Sequence, residues 1–127
     1  MAPISRISDA EMKVMEKLWE FAQTTSVADI TAALNSDGES WTHQTVGTFL
    51  KRLEEKEMVH SEKKGKSLYY SPLMTREQFN AKEADSFLKT KFKGSLKGFL
   101  SAFSSSKKLS NDEIQDLRDW FDDIDNN

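Results

Sequence analysis

The residues whose types and spacing best fit a chemical task lie between Thr42 and Arg52. Apolar residues recur here at spacings of three and four, which marks one buried face of a helix: Val46, Phe49, Leu50 and Leu53. The other positions are polar or basic: Thr42, His43, Gln44, Thr45, Thr48, Lys51 and Arg52. An α-helix fits the major groove of DNA, where the edges of the base pairs are distinguishable. The stretch therefore predicts a DNA-binding helix, with a solvated polar face as the alternative interpretation of each residue.

Position along this helix assigns the expected contacts. Gln44, Thr45 and Thr48 lie at or near its N-terminal end, where side chains reach base edges and backbone amides favour phosphate. Lys51 and Arg52 follow a turn or two later and are expected to meet the backbone of the duplex. Gly47 costs a helix about 1 kcal/mol relative to alanine, and it either lets DNA approach closely or is tolerated without benefit.

A second basic feature follows the helix. Two short strand-like runs, 58–61 and 67–71, are joined by Glu62-Lys63-Lys64-Gly65-Lys66, and Pro72 ends the pattern. This predicts a β-hairpin with a basic tip. Lys63, Lys64 and Lys66 are expected to touch phosphate or the minor groove, or alternatively only to keep the turn soluble.

The sequence gives little support for metal binding or catalysis. His43 and His60 are the only histidines, and neither has a second ligand at metal-binding spacing. No nucleophile–base pairing, glycine-rich phosphate loop or carboxylate dyad stands out. We therefore expect no enzymatic activity, no cofactor and no metal.

The composition narrows the class further. The chain is 37% hydrophobic and 31% charged, which is typical of a globular protein, and it has no cysteine for a disulfide or a thiolate metal site. No apolar run approaches the roughly 20 residues of a membrane helix. The N-terminus lacks the basic-then-apolar order of a signal peptide. We expect a cytoplasmic protein without a membrane partner.

The net charge of -3 is unevenly distributed. Residues 1–71 carry nine basic and eleven acidic side chains, residues 72–108 eight and three, and residues 109–127 one and seven. The acidic excess is therefore concentrated near the C-terminal end, where it can lie far from DNA. The total charge does not exclude a nucleic-acid partner, because a local basic face is sufficient.

The elements that must position the DNA-binding helix begin with recognisable caps. Ser8 and Glu11 form a capping box for a first helix, Ser26 caps a shorter second one, and Thr42 caps the third. Three helices followed by a hairpin is the order of a winged helix-turn-helix domain. Small units of this order also serve as protein-interaction modules or adaptors, which is the alternative to DNA binding.

The residues after Pro72 predict a separate helical region. Its last helix opens with a second capping box, formed by Ser110 and Glu113. Too many large apolar side chains lie here for three helices to bury among themselves: Phe79, Phe87, Leu88, Phe92, Leu96, Phe99, Leu100, Phe103, Ile114, Leu117, Trp120 and Phe121. A two-fold dimer would bury the apolar side chains that remain exposed. The alternative is that this helical region folds back on residues 1–72 of the same chain. The prediction is a mainly α chain with a small β-hairpin, in which residues 1–72 bind DNA and residues 73–127 dimerise.

The chain resembles the penicillinase-repressor family, the BlaI/MecI/CopY group, over nearly its whole length. The resemblance is carried by Ile7-Ser8-Asp9-Ala10-Glu11 with Val14-Met15 and Trp19, by residues 41–53, by Lys56, by Tyr69-Tyr70-Ser71, and by residues 109–114 with Leu117. It implies a homodimeric repressor on a palindromic operator, released by an inducing signal. Carried over by position, Thr45 and Thr48 contact the groove and Arg52 the backbone.

The chain also departs from the family pattern. Gln44 and Gly47 stand where some members have basic residues, which implies a different operator sequence. Glu57 stands where the family usually has glycine after the third helix, so that helix is expected to be capped differently.

Induction is expected to differ as well. The Asn–Phe bond cleaved in antibiotic-responsive members corresponds here to Ala102–Phe103, and the Cys-x-Cys motifs of copper-responsive members are absent. A thiolate copper switch is therefore excluded. An inducing protease with another preference, a small ligand, or no direct signal remain as alternatives.

Overall fold

Hydrogen-bonding side chains begin four of the helices where the sequence predicted. In the computed structural model, which describes residues 6–21 and 23–126, the Ser8 hydroxyl accepts from the Glu11 amide and the Glu11 carboxylate accepts from the Ser8 amide. Ser110 and Glu113 repeat this capping box, and Ser26 accepts from the Asp29 amide. These predicted caps are confirmed.

The elements follow one another as helices with a small antiparallel sheet. They are α1 (Asp9–Glu20), β1 (Thr25–Ser26), α2 (Val27–Ser36), α3 (His43–Glu55), β2 (Val59–Lys64), β3 (Ser67–Pro72), α4 (Arg76–Phe92), α5 (Leu96–Ser106) and α6 (Asn111–Asp125). The chain divides into two compact units, the first ending at Lys82 and the second beginning at Glu83. Helix α4 contributes residues to both units.

The core of the first unit is built from apolar side chains of α1 and α2, from the predicted apolar face of α3 and from the inner face of the sheet. Its buried side chains are Val14, Met15, Leu18, Ile30, Leu34, Val46, Leu50, Leu53, Met58, Val59, Tyr70 and Phe79. The core holds α3 by one face only, which leaves the opposite face of that helix exposed.

The sheet has the strand order β1-β3-β2. Ser61 pairs with Tyr70 and Lys63 with Leu68, so the β2–β3 hairpin reaches further than the predicted runs and takes in Lys63 and Lys64. Strand β1 was not predicted. It is only two residues long and is held by pairing of Thr25 with Tyr70 and Ser26 with Tyr69.

Phe79 belongs to the core of the first unit, so its assignment to the dimerisation surface was wrong. It is 4% exposed, and its ring centroid lies 5.5 Å from that of Trp19. The indole of Trp19 also donates to the Met74 carbonyl at 3.0 Å, which ties the segment before α4 to α1. Because Phe79 packs the first turn of α4 into the core of the first unit, that unit ends ten residues beyond Pro72.

The second unit is organised around aromatic side chains. Phe87, Phe92 and Phe99 form a triangle with ring centroids 5.6 to 5.9 Å apart, and Phe103 continues it from Phe99 at 6.1 Å. None of the described residues after Lys82 is buried. A unit of this size without a single buried side chain has no core of its own.

None of the helices in the described ranges is both long and apolar enough to cross a membrane.

Candidate nucleic-acid interface

The first turn of α3 is fixed by two threonines. The Thr42 hydroxyl oxygen accepts from the Thr45 amide at 3.1 Å and lies 3.1 Å from the Thr45 hydroxyl. This confirms Thr42 as the cap. The remaining free amides of the turn point out of the helix N-terminus, where partial positive charge favours an anion such as phosphate.

The turn that leads into α3 is clamped by Asn35 at the end of α2. Its side-chain amide donates to the Trp41 carbonyl at 3.0 Å and accepts from the Trp41 amide at 2.9 Å. The Trp41 ring then packs on Phe49, with centroids 5.2 Å apart. These contacts fix the direction in which α3 leaves α2. Asn35 was not singled out from the sequence, and its partner lies six positions further along the chain.

The outward face of α3 displays the predicted polar set. Thr42, His43, Gln44, Thr48, Lys51 and Arg52 are exposed, and Thr45 is half-buried. Val46, Leu50 and Leu53 on the opposite side are fully buried. The structure thus brings the predicted α3 residues together on one surface, with Gln44 and Thr48 one turn apart at its centre.

Two details shape this face. The Thr48 hydroxyl donates to the Gln44 carbonyl at 3.0 Å. A Cβ added to Gly47 would meet no atom of the described protein within 4 Å, so the helix surface beside Thr48 is open.

The charged side chains of this helix lie in its C-terminal half. Lys51 and Arg52 supply the cations, and the Arg52 guanidinium carbon lies 5.9 Å from the centre of the Phe49 ring. The acids Glu54 and Glu55 follow only at the end of α3. The stretch from His43 to Arg52 therefore carries two cations and no acidic side chain, which favours approach of a polyanion along it.

The end of α3 corrects one prediction. The Glu57 amide donates to the Glu54 carbonyl at 3.0 Å and the Met58 amide to the Leu53 carbonyl at 2.9 Å. This is the Schellman motif that normally uses glycine. Glu57 adopts the required left-handed conformation, with φ of 61°. The expectation of a different cap was wrong: the cap is retained and a glutamate occupies the glycine position.

A partly buried ion pair joins the end of α3 to the start of α1. Lys56 Nζ donates to the two Glu11 carboxylate oxygens at 2.8 and 2.9 Å and to the Arg6 carbonyl at 2.8 Å. Burial raises the pKa of Glu11, but the hydrogen bonds from Lys56 and Ser8 outweigh it, so the pKa lies below its ordinary value. Sequence reasoning saw Glu11 only as a capping residue, because its partner lies 45 positions away.

The predicted wing is the tip of the β2–β3 hairpin. Lys63 and Lys64 lie at the end of β2, Lys66 lies in the turn, and all three are exposed. Gly65 takes the left-handed conformation of the turn, with φ of 65°. The Lys64 ammonium lies 5.4 Å from the centre of the Tyr69 ring, which holds its stem along the outer face of the sheet. The structure thus presents three cations at one hairpin tip.

The dimerisation residues other than Phe79 lie in the second unit and are exposed or half-buried. The most exposed large apolar side chains there are Phe87, Leu96, Phe103, Trp120, Phe121 and Ile124, at 38 to 53%. Ala102 and Phe103 are exposed within α5. Within the described ranges no group of His, Asp or Glu is arranged to hold a metal ion.

Together these features define the class. Three helices with a clamped turn between the second and third, an exposed polar third helix and a basic hairpin make up a winged helix-turn-helix domain. A sequence model of the penicillinase repressor family matches residues 7–123, and the chain belongs to that family.

Individual relatives agree with this assignment. The chain is similar to the penicillinase repressor of Bacillus licheniformis, with 29% identity over 117 residues that cover 92% of this chain and 90% of that protein. It is similar to the penicillinase repressor of Staphylococcus aureus, with 30% identity over 118 residues that cover 93% and 92%.

A solved structure supports the fold directly. The solution structure of the DNA-binding domain of the repressor BlaI is 29% identical, with a TM-score of 0.52 over 60% of this chain and 90% of that one. The predicted family and the predicted fold class, mainly α with a small winged hairpin, are confirmed.

Proposed function

We propose that this chain is a homodimeric transcriptional repressor that binds a palindromic DNA operator through α3 and is released by an inducing signal. The observation that carries the proposal is the outward face of α3, where Gln44, Thr48, Lys51 and Arg52 are exposed together. Groove-binding helices use such side chains for base edges and phosphates. The names of the relatives, which are repressors, support the same function.

The wing adds a second proposed contact. Lys63, Lys64 and Lys66 are exposed on the hairpin that follows α3. Phosphate contacts by such lysines fix register on the duplex without reading its sequence. We therefore propose that α3 contacts the bases and that the wing fixes the position of the protein on the duplex.

The proposed dimer is supported by the second unit. Its described residues include none that is buried, while Trp120 and Phe121 are 53% and 44% exposed. Burial of apolar area yields about 25 cal/mol per Å², so pairing of two such units supplies the core that one lacks. Two half-sites about 34 Å apart would then be bound as one.

The test is a salt-controlled gel-shift on DNA selected from a random pool. Combining Thr48→Ala with Arg52→Ala should weaken binding by about ten-fold or more, since each good contact contributes roughly 1–3 kcal/mol. Arg118→Ala, which removes an equal charge from exposed α6, is the matched control and should bind normally. If no sequence is enriched, the chain is instead a protein-interaction module; if the double variant binds normally, α3 is not the DNA-contacting element.

Dimerisation is tested by sedimentation of the full chain. Trp120→Ala combined with Phe121→Ala should shift the equilibrium toward monomer, because both side chains lie in the proposed contact. Asp122→Ala, on the same helix, should leave it unchanged. A monomeric wild type at micromolar concentration would contradict the dimer.

For induction we propose cleavage of the Ala102–Phe103 bond by a protease. Both residues are exposed, and α5 carries no buried residue to resist local unwinding. A helical bond must unwind before it fits an extended protease cleft, so cleavage should follow opening of α5. Ala102→Pro should block cleavage if this bond is the target; repression relieved in cells without chain shortening would point to a ligand. The site of action proposed is the cytoplasm, where the operator lies.

A further inference from the structure

We propose that Gln44 and Thr48 read an adenine and a neighbouring thymine in each operator half-site, Gln44 through hydrogen bonds and Thr48 through its methyl group. The inference rests on the proposed function and assigns base identity to the centre of the α3 face.

The Thr48 hydroxyl is already engaged within the protein. It donates to the Gln44 carbonyl at 3.0 Å, so its single proton is not available to a base. A β-branched side chain in a helix has few rotamers, and the one that turns the hydroxyl back along the helix turns the methyl away from it. Because Thr48 is exposed and its hydroxyl is turned back to the helix, we infer that the methyl lies on the outward surface.

An outward methyl in the major groove has one natural partner. Thymine alone among the four bases carries a C5-methyl group there, and threonine methyls pack against it. A serine would keep the internal hydrogen bond and lose this contact. A valine would lose the hydrogen bond and keep the contact.

Gln44 supplies the complementary polar reading. Its side chain is exposed one turn before Thr48 and carries both a donor and an acceptor. That pair matches N7 and the N6 amino group of adenine, which accept and donate side by side. The open surface at Gly47, where a Cβ would meet no atom within 4 Å, leaves room for bases beside the two residues.

The acidic residues in the last turn of α3 indicate which end of the helix approaches DNA. Glu54 and Glu55 are exposed in the last turn, where phosphates would repel them. The helix is therefore expected to enter the groove by its N-terminal half, which brings Gln44 and Thr48 closest to the bases.

The experiment uses the full chain and DNA selected from a random pool, with each thymine replaced in turn by uracil, which lacks only the methyl. With the wild type, one replacement per half-site should weaken binding by about five-fold, within the range for loss of a single base contact. Thr48→Ser should bind the thymine and uracil duplexes equally at that position. Thr48→Val should keep the preference for thymine.

Adenine reading is tested with 7-deazaadenine, which lacks the N7 acceptor. One such replacement per half-site should weaken the wild type by a similar factor and leave Gln44→Ala unaffected. Circular dichroism of each variant confirms that the exposed substitutions leave the fold intact.

The outcomes separate the inference from the proposed function. Failure to enrich any sequence would reject the repressor itself. Enrichment with no uracil-sensitive thymine, or a Thr48→Ser variant that still prefers thymine, would overturn the reading by Thr48. Deazaadenine sensitivity that persists in Gln44→Ala would overturn the reading by Gln44.

Discussion

The ammonium of Lys56 lies 2.8 and 2.9 Å from the two carboxylate oxygens of Glu11, which joins the residue after α3 to the first turn of α1. Glu11 is 2% exposed, so its charge is almost fully removed from water. The pair secures the C-terminal end of α3 rather than the exposed face proposed to contact DNA.

Glu11→Gln should lower the free energy of unfolding by about 2 kcal/mol at pH 7, because it leaves the Lys56 ammonium without its buried partner. Glutamine can still serve in the capping box, so the change isolates the ion pair. Glu113→Gln makes the same substitution in the second capping box. Its nearest cation there, Lys107, is 3.8 Å away and both side chains are exposed, so little or no change in stability is expected.

The same pair predicts a pH dependence. Burial acts to raise the pKa of Glu11, but the bonds from Lys56 and Ser8 hold it below its ordinary value of 4.5. A lowered pKa in the folded state contributes stability that is present above 4.5 and is lost as the pH falls through the folded value. The difference between wild type and Glu11→Gln in urea titrations should therefore shrink on acidification. A difference that stays constant down to strongly acidic pH would contradict it.

Glu57→Gly should stabilise the fold by about 1 kcal/mol, because a residue with a Cβ is strained at a φ of 61° and glycine is not. Thermal unfolding of the full chain measures the gain. Glu57→Ala is the control: it removes the same charge but keeps a Cβ, and it should yield little or none of the increase. Equal gains in both variants would assign the effect to charge.

Gly47→Ala should move stability and DNA affinity in opposite directions. Alanine favours a helix by about 1 kcal/mol over glycine, and a Cβ here meets no atom of the described protein within 4 Å. The added methyl would instead meet DNA beside Gln44 and Thr48, so affinity for the selected sequence should fall. A more stable variant with unchanged affinity would show that Gly47 is tolerated rather than needed.

Replacing Lys63, Lys64 and Lys66 together by alanine should flatten the salt dependence of DNA binding. Each lost phosphate contact lowers the slope of log affinity against log salt by about one. Sequence preference should persist, since phosphate contacts do not read bases. Alanines at Lys89, Lys91 and Lys93 remove the same charge elsewhere and should leave the slope nearly unchanged. Equal effects of the two triple variants would argue against a wing contact.

The helices could be predicted because their signals are local. Ser8, Ser26, Thr42 and Ser110 each bond an amide three residues ahead, and apolar spacing marks each inner face. The same locality placed the predicted α3 residues on one exposed surface. The caps and the buried helix faces were predicted correctly because they depend on residues that are close together in the sequence.

The remaining features depend on distant partners. Strand β1 exists only because Thr25 and Ser26 meet β3, and two residues show no periodicity. Phe79 and Phe87 share helix α4, yet periodicity does not say which unit each one faces. Glu57 adopts a left-handed conformation because the Schellman bonds on either side of it hold it there. No pattern along the chain reveals those constraints.

The clamp of Asn35 on both backbone groups of Trp41 has a consequence for the proposed binding of operators by α3. A turn bonded on both sides holds α3 at one tilt before any DNA arrives, so the entropy of fixing that tilt is lost during folding rather than on binding. A rigid helix is equally unable to re-tilt around a wrong base pair. Each mismatched base pair should then reduce the free energy of binding without compensation by a change in tilt. Reductions at well-separated positions of the site should add.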